Sequence, residues 1–304
     1  MWRIAGLFLS LAVAVVAAEP GRDFGQVVAA RVIGEVTAID NEDGSETPLH
    51  NRDVLYEGYT VVTQAQASVI LIFSNGSNVR VMPNTRLALE VFRQDPLAED
   101  VEAGGLVAEP SASETKLNLA YGEMVGDVCK LRTSTSYSIK TPVGSAGIRG
   151  TQFRLLHRER EGGQQQFTLS THEGIVHLDD DSARGGVDVS AGKELGGRFR
   201  AGVQPRFFRA QLRGISPRAK KLIEHTTPII HETARHVRFR PAERKGAPGQ
   251  RPKIRRDPAQ QREKENDLKE FSKDDPDWNR TPATKSPPER ANRGNPEPKP
   301  KKGK

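Results

Sequence analysis

The 304 residues carry a net charge of +7, but unevenly: residues 1–204 hold 19 Lys and Arg against 26 Asp and Glu, and residues 205–304 hold 27 against 13. An acidic body with a basic arm points to an anionic contact surface. A single cysteine, Cys129, excludes an intramolecular disulfide, and beyond the first segment no apolar stretch approaches the roughly 20 residues of a spanning helix.

Residues 1–18 read as an export signal. Arg3 supplies the positive start, Ile4 to Val16 the apolar run, and Val16-Ala17-Ala18 the small residues of a cleavage site near Ala18. The run is short for a membrane span, and no cysteine follows it to take a lipid. The expectation is a mature chain in the periplasm or cell envelope. An uncleaved anchor is the alternative.

From Val27 to about Gly197 short β-branched runs alternate with turn residues. Val32–Ile39 ends at the turn cluster Asp40–Gly44, and Asp53–Leu55 and Tyr59–Thr63 follow. Ala67–Phe73 and Asn78–Met82 flank Asn75-Gly76, a pair suited to a type I′ hairpin turn. Residues 94–113, rich in Ala, Glu, Gly and Pro, read as a long exposed loop. Further strands are expected at Leu87–Phe92, Thr115–Leu119, Glu123–Val128, Ser136–Lys140, Gln152–His157, Gln166–Thr171 and Ile175–Leu178, with Asp188-Val189 and Lys193–Leu195 closing the sheet. Nothing supplies crossover helices, so the class is all-β: a sandwich, a jelly-roll-like body or a solenoid.

Six fragments in order carry a family resemblance over roughly residues 30–197. They are Gly34-Glu35-Val36; Asp53 to Thr63; Ala67-Ser68-Val69 through Asn75-Gly76-Ser77 with Met82-Pro83-Asn84-Thr85; Ile139 to Phe153; Glu173-Gly174-Ile175-Val176; and Ser190-Ala191-Gly192-Lys193. The fourth is similar to a "Thr-Pro … Arg-Gly-Thr-x-Phe" signature, and the set resembles the FecR family. The signature residues are Thr141, Pro142, Gly147, Arg149, Gly150, Thr151 and Phe153. Pro142 favours an extended residue before it, and the glycines Gly144, Gly147 and Gly150 permit turns. Arg149 either ties loop carbonyls together or contacts a ligand. The resemblance implies a non-catalytic periplasmic interaction domain. FecR-type regulators also carry a cytoplasmic segment that handles a sigma factor. Only Met1-Trp2-Arg3 precede the apolar run here, so direct sigma-factor control is not expected.

No Gly-x-Ser-x-Gly, His-Glu-x-x-His, P-loop or Cys-x-x-Cys is present, and no enzyme activity or cofactor is expected. Asp179–Ser182 lacks the spaced ladder of a calcium loop. His172, His177, His225, His231 and His236 lack tight metal spacing.

After Gly197 the chain turns basic. Residues 198–240 read as a partly helical extension, with Ser216 as N-cap, Pro217 as first helical residue, a break at Pro228 and a second helix over Ile229–Arg240. Arg206, Arg209, Arg213, Arg218, Lys220 and Lys221 are candidate contacts to an anionic surface, and peripheral membrane contact through them is one form this could take. Residues 241–304 have few aliphatics and read as a disordered tail. The expected role is an exported binding module for an envelope protein or anionic envelope polymer, with nucleic acid not expected. The alternative is a membrane-anchored FecR-type sensor.

Overall fold

The computed structural model describes residues 22–179, 186–200, 212–241 and 250–256. Residues 1–18, expected as an export signal, Asp180–Ser182, Arg206, Arg209 and residues 257–304 lie outside these. Nine strands form the first part: β1 (Asp23–Phe24), β2 (Val27–Ile33), β3 (Val36–Asp40), β4 (Glu46–Pro48), β5 (Asp53–Leu55), β6 (Tyr59–Thr63), β7 (Ser68–Phe73), β8 (Asn78–Val81) and β9 (Thr85–Gln94). Then come β10 (Val101–Glu102), β11 (Ser113–Asp127), β12 (Ser136–Thr141), β13 (Gly144–Ile148), β14 (Gln152–Arg160) and β15 (Gln164–Glu173). The last are β16 (Ile175–Asp179), β17 (Val187–Ser190), β18 (Lys193–Arg200), β19 (Leu212–Gly214), α1 (Pro217–Ala234) and β20 (Arg238–Phe239).

Hydrogen bonding arranges them in two runs. One runs β4-β3-β6-β9-β11-β12-β13-β16-β17, with β1 on the far end of β9. The other runs β5-β2-β7-β8-β11-β14-β15-β18-β19. The β11–β12 pair is parallel and every other strand pair is antiparallel. The inward-facing residues of both runs, among them Ala38, Val61, Leu87, Leu117 and Ile139 from one and Leu71, Val79, Met124, Leu155 and Leu169 from the other, make one core. This is the two-layer arrangement that alternating strands with one apolar face require.

β11 belongs to both runs. Ser113–Tyr121 pair with β9, and Gly122–Asp127 pair with β8 and β14. Gly122 makes the corner at φ 108°, and a Cβ there would stand 2.4 Å from the Thr85 Cα. The Glu123 amide donates to Thr85 Oγ1 at 2.9 Å, which pins the bend. The two separate strands expected at 115–119 and 123–128 are therefore one. The continuous strand expected over 32–39 is instead two, because the chain passes from one run to the other at Gly34.

The hairpin of β7 and β8 forms as expected, but its turn differs. The Gly76 amide donates to the Phe73 carbonyl at 2.9 Å, and within this loop Gly76 alone is left-handed, at φ 85°. Asn75 keeps negative φ because its side chain is drawn inward: it donates to Ser113 and Thr115 and accepts from the Ser77 amide. The loop over 94–113 is tied down. β10 pairs with β20, and the buried Glu109 accepts from Ser113 and Thr135 hydroxyls at 2.6 Å each and from the Arg132 amide at 3.0 Å.

Helix α1 lies across the outside of the second run, against β14, β11, β15, β8, β2 and β7. Ser216 caps it and Pro217 opens it as the sequence predicts, but Pro228 neither breaks it nor starts a second helix. A mid-helix proline costs about 3 kcal/mol. Burial on both sides of it, through Ile223, Thr226 and Thr227 before and Ile230 and Ala234 after, offsets that cost. Ile230, Ala234, Val237 and Phe239 join Val28, Ile70 and Ile72 in a second apolar cluster between helix and sheet.

Candidate functional site

The signature residues divide into a scaffold and a presented surface. Thr141, Thr151 and Phe153 are buried. Thr141 Oγ1 donates to the Gly144 carbonyl at 2.8 Å and accepts from the Val143 amide at 3.2 Å, fixing the β12–β13 turn with Pro142 exposed at its tip. Gly147 lies mid-strand in β13 and makes no turn. Gly150 carries the chain across to β14. A Cβ on the nearby Gly174 would lie 2.4 Å from the Gly150 carbonyl oxygen, so these two crossings are in direct contact.

Arg149 ties no loop carbonyl among the described residues. Its side chain is exposed, with no ion pair or hydrogen bond among the described residues. It stands one residue beyond the Ile148–Val176 pair, opposite Ile175, which is 53% exposed. Gly150 also borders Lys130, whose amide donates to the carbonyl of Val107, a residue 83% exposed. The signature end thus presents a guanidinium and an ammonium beside two exposed aliphatics. Cys129 lies beneath this surface, half-buried, its Sγ donating to the Asn75 carbonyl at 3.4 Å. Burial, with Glu109 and Asp127 nearby, pushes its thiol up to about 12, so it is a poor nucleophile at neutral pH.

The proposed anionic-surface cations separate. Arg213 is engaged: it donates to Glu194 Oε1 at 2.8 and 3.2 Å. Arg218 and Lys221 are exposed on α1, and Lys220 reaches Glu224 at 3.7 Å. The buried Glu194 also accepts from Ser170 and from Ser216, the helix cap, at 2.8 Å each. Burial acts to raise its carboxyl, but the bonds from Arg213, Ser170 and Ser216 outweigh that and hold it below the usual range. Under the helix Arg154 donates to Glu123 at 2.6 Å, and Arg158 reaches the same carboxylate at 3.1 Å.

A second charged site escaped the sequence reading. Residues 250–256, assigned to the disordered tail, are instead laid across the Asp40–Tyr59 end of β3 and β6 and along the edge strand β5. Arg251 donates to Asp40 at 2.6 Å and Glu42 at 3.2 Å, with its guanidinium 4.5 Å over the Tyr59 ring. Lys253 donates to Asp40 at 2.9 Å. Ile254 packs on the main core, and its amide donates to the Tyr59 hydroxyl at 3.3 Å. Arg255 exchanges two 3.0 Å backbone bonds with Val54 of the edge strand β5, and Arg256 lies 4.0 Å from Asp53. Burial acts to raise the Asp40 carboxyl, but bonds from Arg251, Lys253 and the Glu42 amide hold it well below the usual range. The sequence did carry a signal: Ile254 is a lone aliphatic inside Arg251-Pro252-Lys253-Ile254-Arg255-Arg256, opposite in charge to Asp40–Asp43.

Fold and site define a mostly β, two-sheet domain with one helix, whose loops and strand ends carry the exposed charged groups described above. The FecR protein family model matches residues 59–177, and the chain carries a FecR domain. The match starts at β6 and ends in β16, whereas the paired body extends beyond it on both sides. Two crystal structures of a "putative anti-sigma factor" from Parabacteroides distasonis ATCC 8503, at 1.65 and 2.50 Å, are similar at 11% identity, with TM-scores of 0.37 and 0.36. They cover 55% and 54% of this chain and 64% and 62% of those, so the chain spans less than two thirds of either. No curated protein matches.

Proposed function

We propose that this is an exported, non-enzymatic FecR-domain protein that binds a partner protein in the periplasm or cell envelope through its signature end. The observation that carries the reading is the exposure of Arg149 beside Ile175, over a buried scaffold of Thr141, Thr151 and Phe153. Protein interfaces favour an arginine set among apolar groups, because the planar guanidinium pairs with carboxylates while its faces pack. Arg218 and Lys221 on α1, with the basic tail, add salt-sensitive attraction to an anionic envelope surface. Cleavage near Ala18 belongs to the same reading, and intact-mass determination of the secreted protein checks it. A photo-crosslinking residue at position 149 tests the interface in envelope fractions. The expected result is one discrete adduct that is absent with the crosslinker at Glu159, an exposed residue of β14. Equal adducts from both positions, or none from position 149, count against the reading.

A further inference from the structure

We propose that Asp40, Glu42, Tyr59 and the Val54 edge form a recognition site for extended basic protein segments, and that residues 250–256 occupy it in cis. The seated segment satisfies every element of a peptide site at once. Its backbone pairs with an exposed strand edge, its Ile254 fills an apolar position, and its Arg251 and Lys253 converge on one carboxylate. Strand addition of this kind draws affinity from backbone bonds and selectivity from the side-chain seats. Arg251 has the more specific seat. Its guanidinium stacks on Tyr59, and its aliphatic stem runs so close to Gly58 that a Cβ there would lie 2.9 Å from its Cδ.

Charge explains why the site takes a basic occupant and no other. Asp40 is 2% exposed with the segment in place, and of the three groups that donate to its carboxylate, Arg251 and Lys253 come from that segment and the third is the Glu42 amide. Asp53 adds a second buried carboxylate, facing Arg256. Removing the segment leaves an edge strand with an unpaired amide and carbonyl at Val54 beside these carboxylates and an uncovered tyrosine ring. A segment from a partner protein with the pattern Arg-x-Lys-aliphatic-Arg makes the same contacts. The cis segment competes with it at the high effective concentration of a tethered ligand. The partner is therefore a protein with an extended basic stretch, and the tail acts as a gate on its binding. This site lies at the Asp40–Tyr59 end of the β3–β6 pair and along the edge strand β5, and it stands independently of the reading given to Arg149.

Fluorescence anisotropy with a labelled peptide of residues 250–256 tests the proposal on the full chain. The Arg251→Ala, Ile254→Ala variant loosens the cis segment while leaving the site intact. It is expected to bind the peptide at least about tenfold more tightly than the unaltered chain. Adding Asp40→Asn to that variant is expected to remove at least about tenfold of the gained affinity. A scrambled peptide of the same composition should bind more weakly than the native order. Equal binding to the unaltered chain and the loosened variant, no binding to either, indifference to Asp40→Asn, or equal binding of the scrambled peptide overturns it. Thermal melting of each variant shows that the body remains folded.

Discussion

Ser216 donates to Glu194 at 2.8 Å and accepts from the Ala219 amide, so one hydroxyl both caps α1 and fastens it to the sheet. Helix and sheet are joined here by a single buried carboxylate, which also holds Ser170 and Arg213. Replacing Ser216 with Ala removes the cap and one bond to Glu194. The expected loss is about 1–2 kcal/mol, read as a lower denaturant midpoint with an unchanged slope.

The Glu123–Arg154 pair makes a sharper demand. Glu123→Ala strands a buried guanidinium and is expected to cost about 3–5 kcal/mol, whereas Glu123→Leu with Arg154→Met recovers most of that loss. A double-mutant cycle by urea unfolding checks both values. Additive single and double losses contradict the pairing.

Gly122 is predicted to be irreplaceable. Alanine there meets Thr85 at 2.4 Å from its Cα and must adopt φ 108°. Strain and overpacking together are expected to cost about 3 kcal/mol or more. Circular dichroism melts and the yield of folded protein report this directly.

Asp40 and Glu194 set the acid limit. Both carboxyls are held below their ordinary values in the folded chain. Their contributions are present above the unfolded pKa values of about 4, and are lost as pH falls toward the folded values. The Lys253 ammonium is shifted up by its bond to Asp40, so its share persists through neutral pH and disappears only above about pH 10. The 250–256 segment should stay docked from about pH 5 to 9 and release in stronger acid. Amide exchange of Arg255 and Val54 follows it, and release near pH 6 contradicts this account.

Cys129 should resist alkylation. With its thiol raised to about 12, a maleimide probe at pH 7.5 is expected to label the native chain slowly and the denatured chain fast. Rapid native labelling would contradict this shielding of the thiol.

Most of the body was legible because short β-branched runs are separated by Gly, Asn, Asp and Pro turn residues. Ser68–Phe73 sends Val69, Leu71 and Phe73 to the core and Ile70 and Ile72 to the helix. Positions where long-range contacts overrule local preference were not legible. Asn75 gives up the left-handed turn its type favours in order to bond Ser113 and Thr115, about forty residues away in sequence. Pro228 stays helical because flanking residues are buried on the sheet. The signature block covers the turns that join β12, β13 and β14, yet nothing local says whether an arginine among glycines points inward or outward. Residues 250–256 look like tail because their partners, Asp40 and Val54, lie some two hundred positions earlier.

The stability of an Arg149→Ala variant bears most directly on the claim that the signature end presents this side chain to a partner. The predicted melting temperature lies within about 1 °C of the unaltered protein's, because an exposed guanidinium with no partner among the described residues contributes little to folding. A fall of about 4 °C or more, the equivalent of more than about 1 kcal/mol in a domain of this size, would mean that Arg149 holds the loop together and would contradict the assignment.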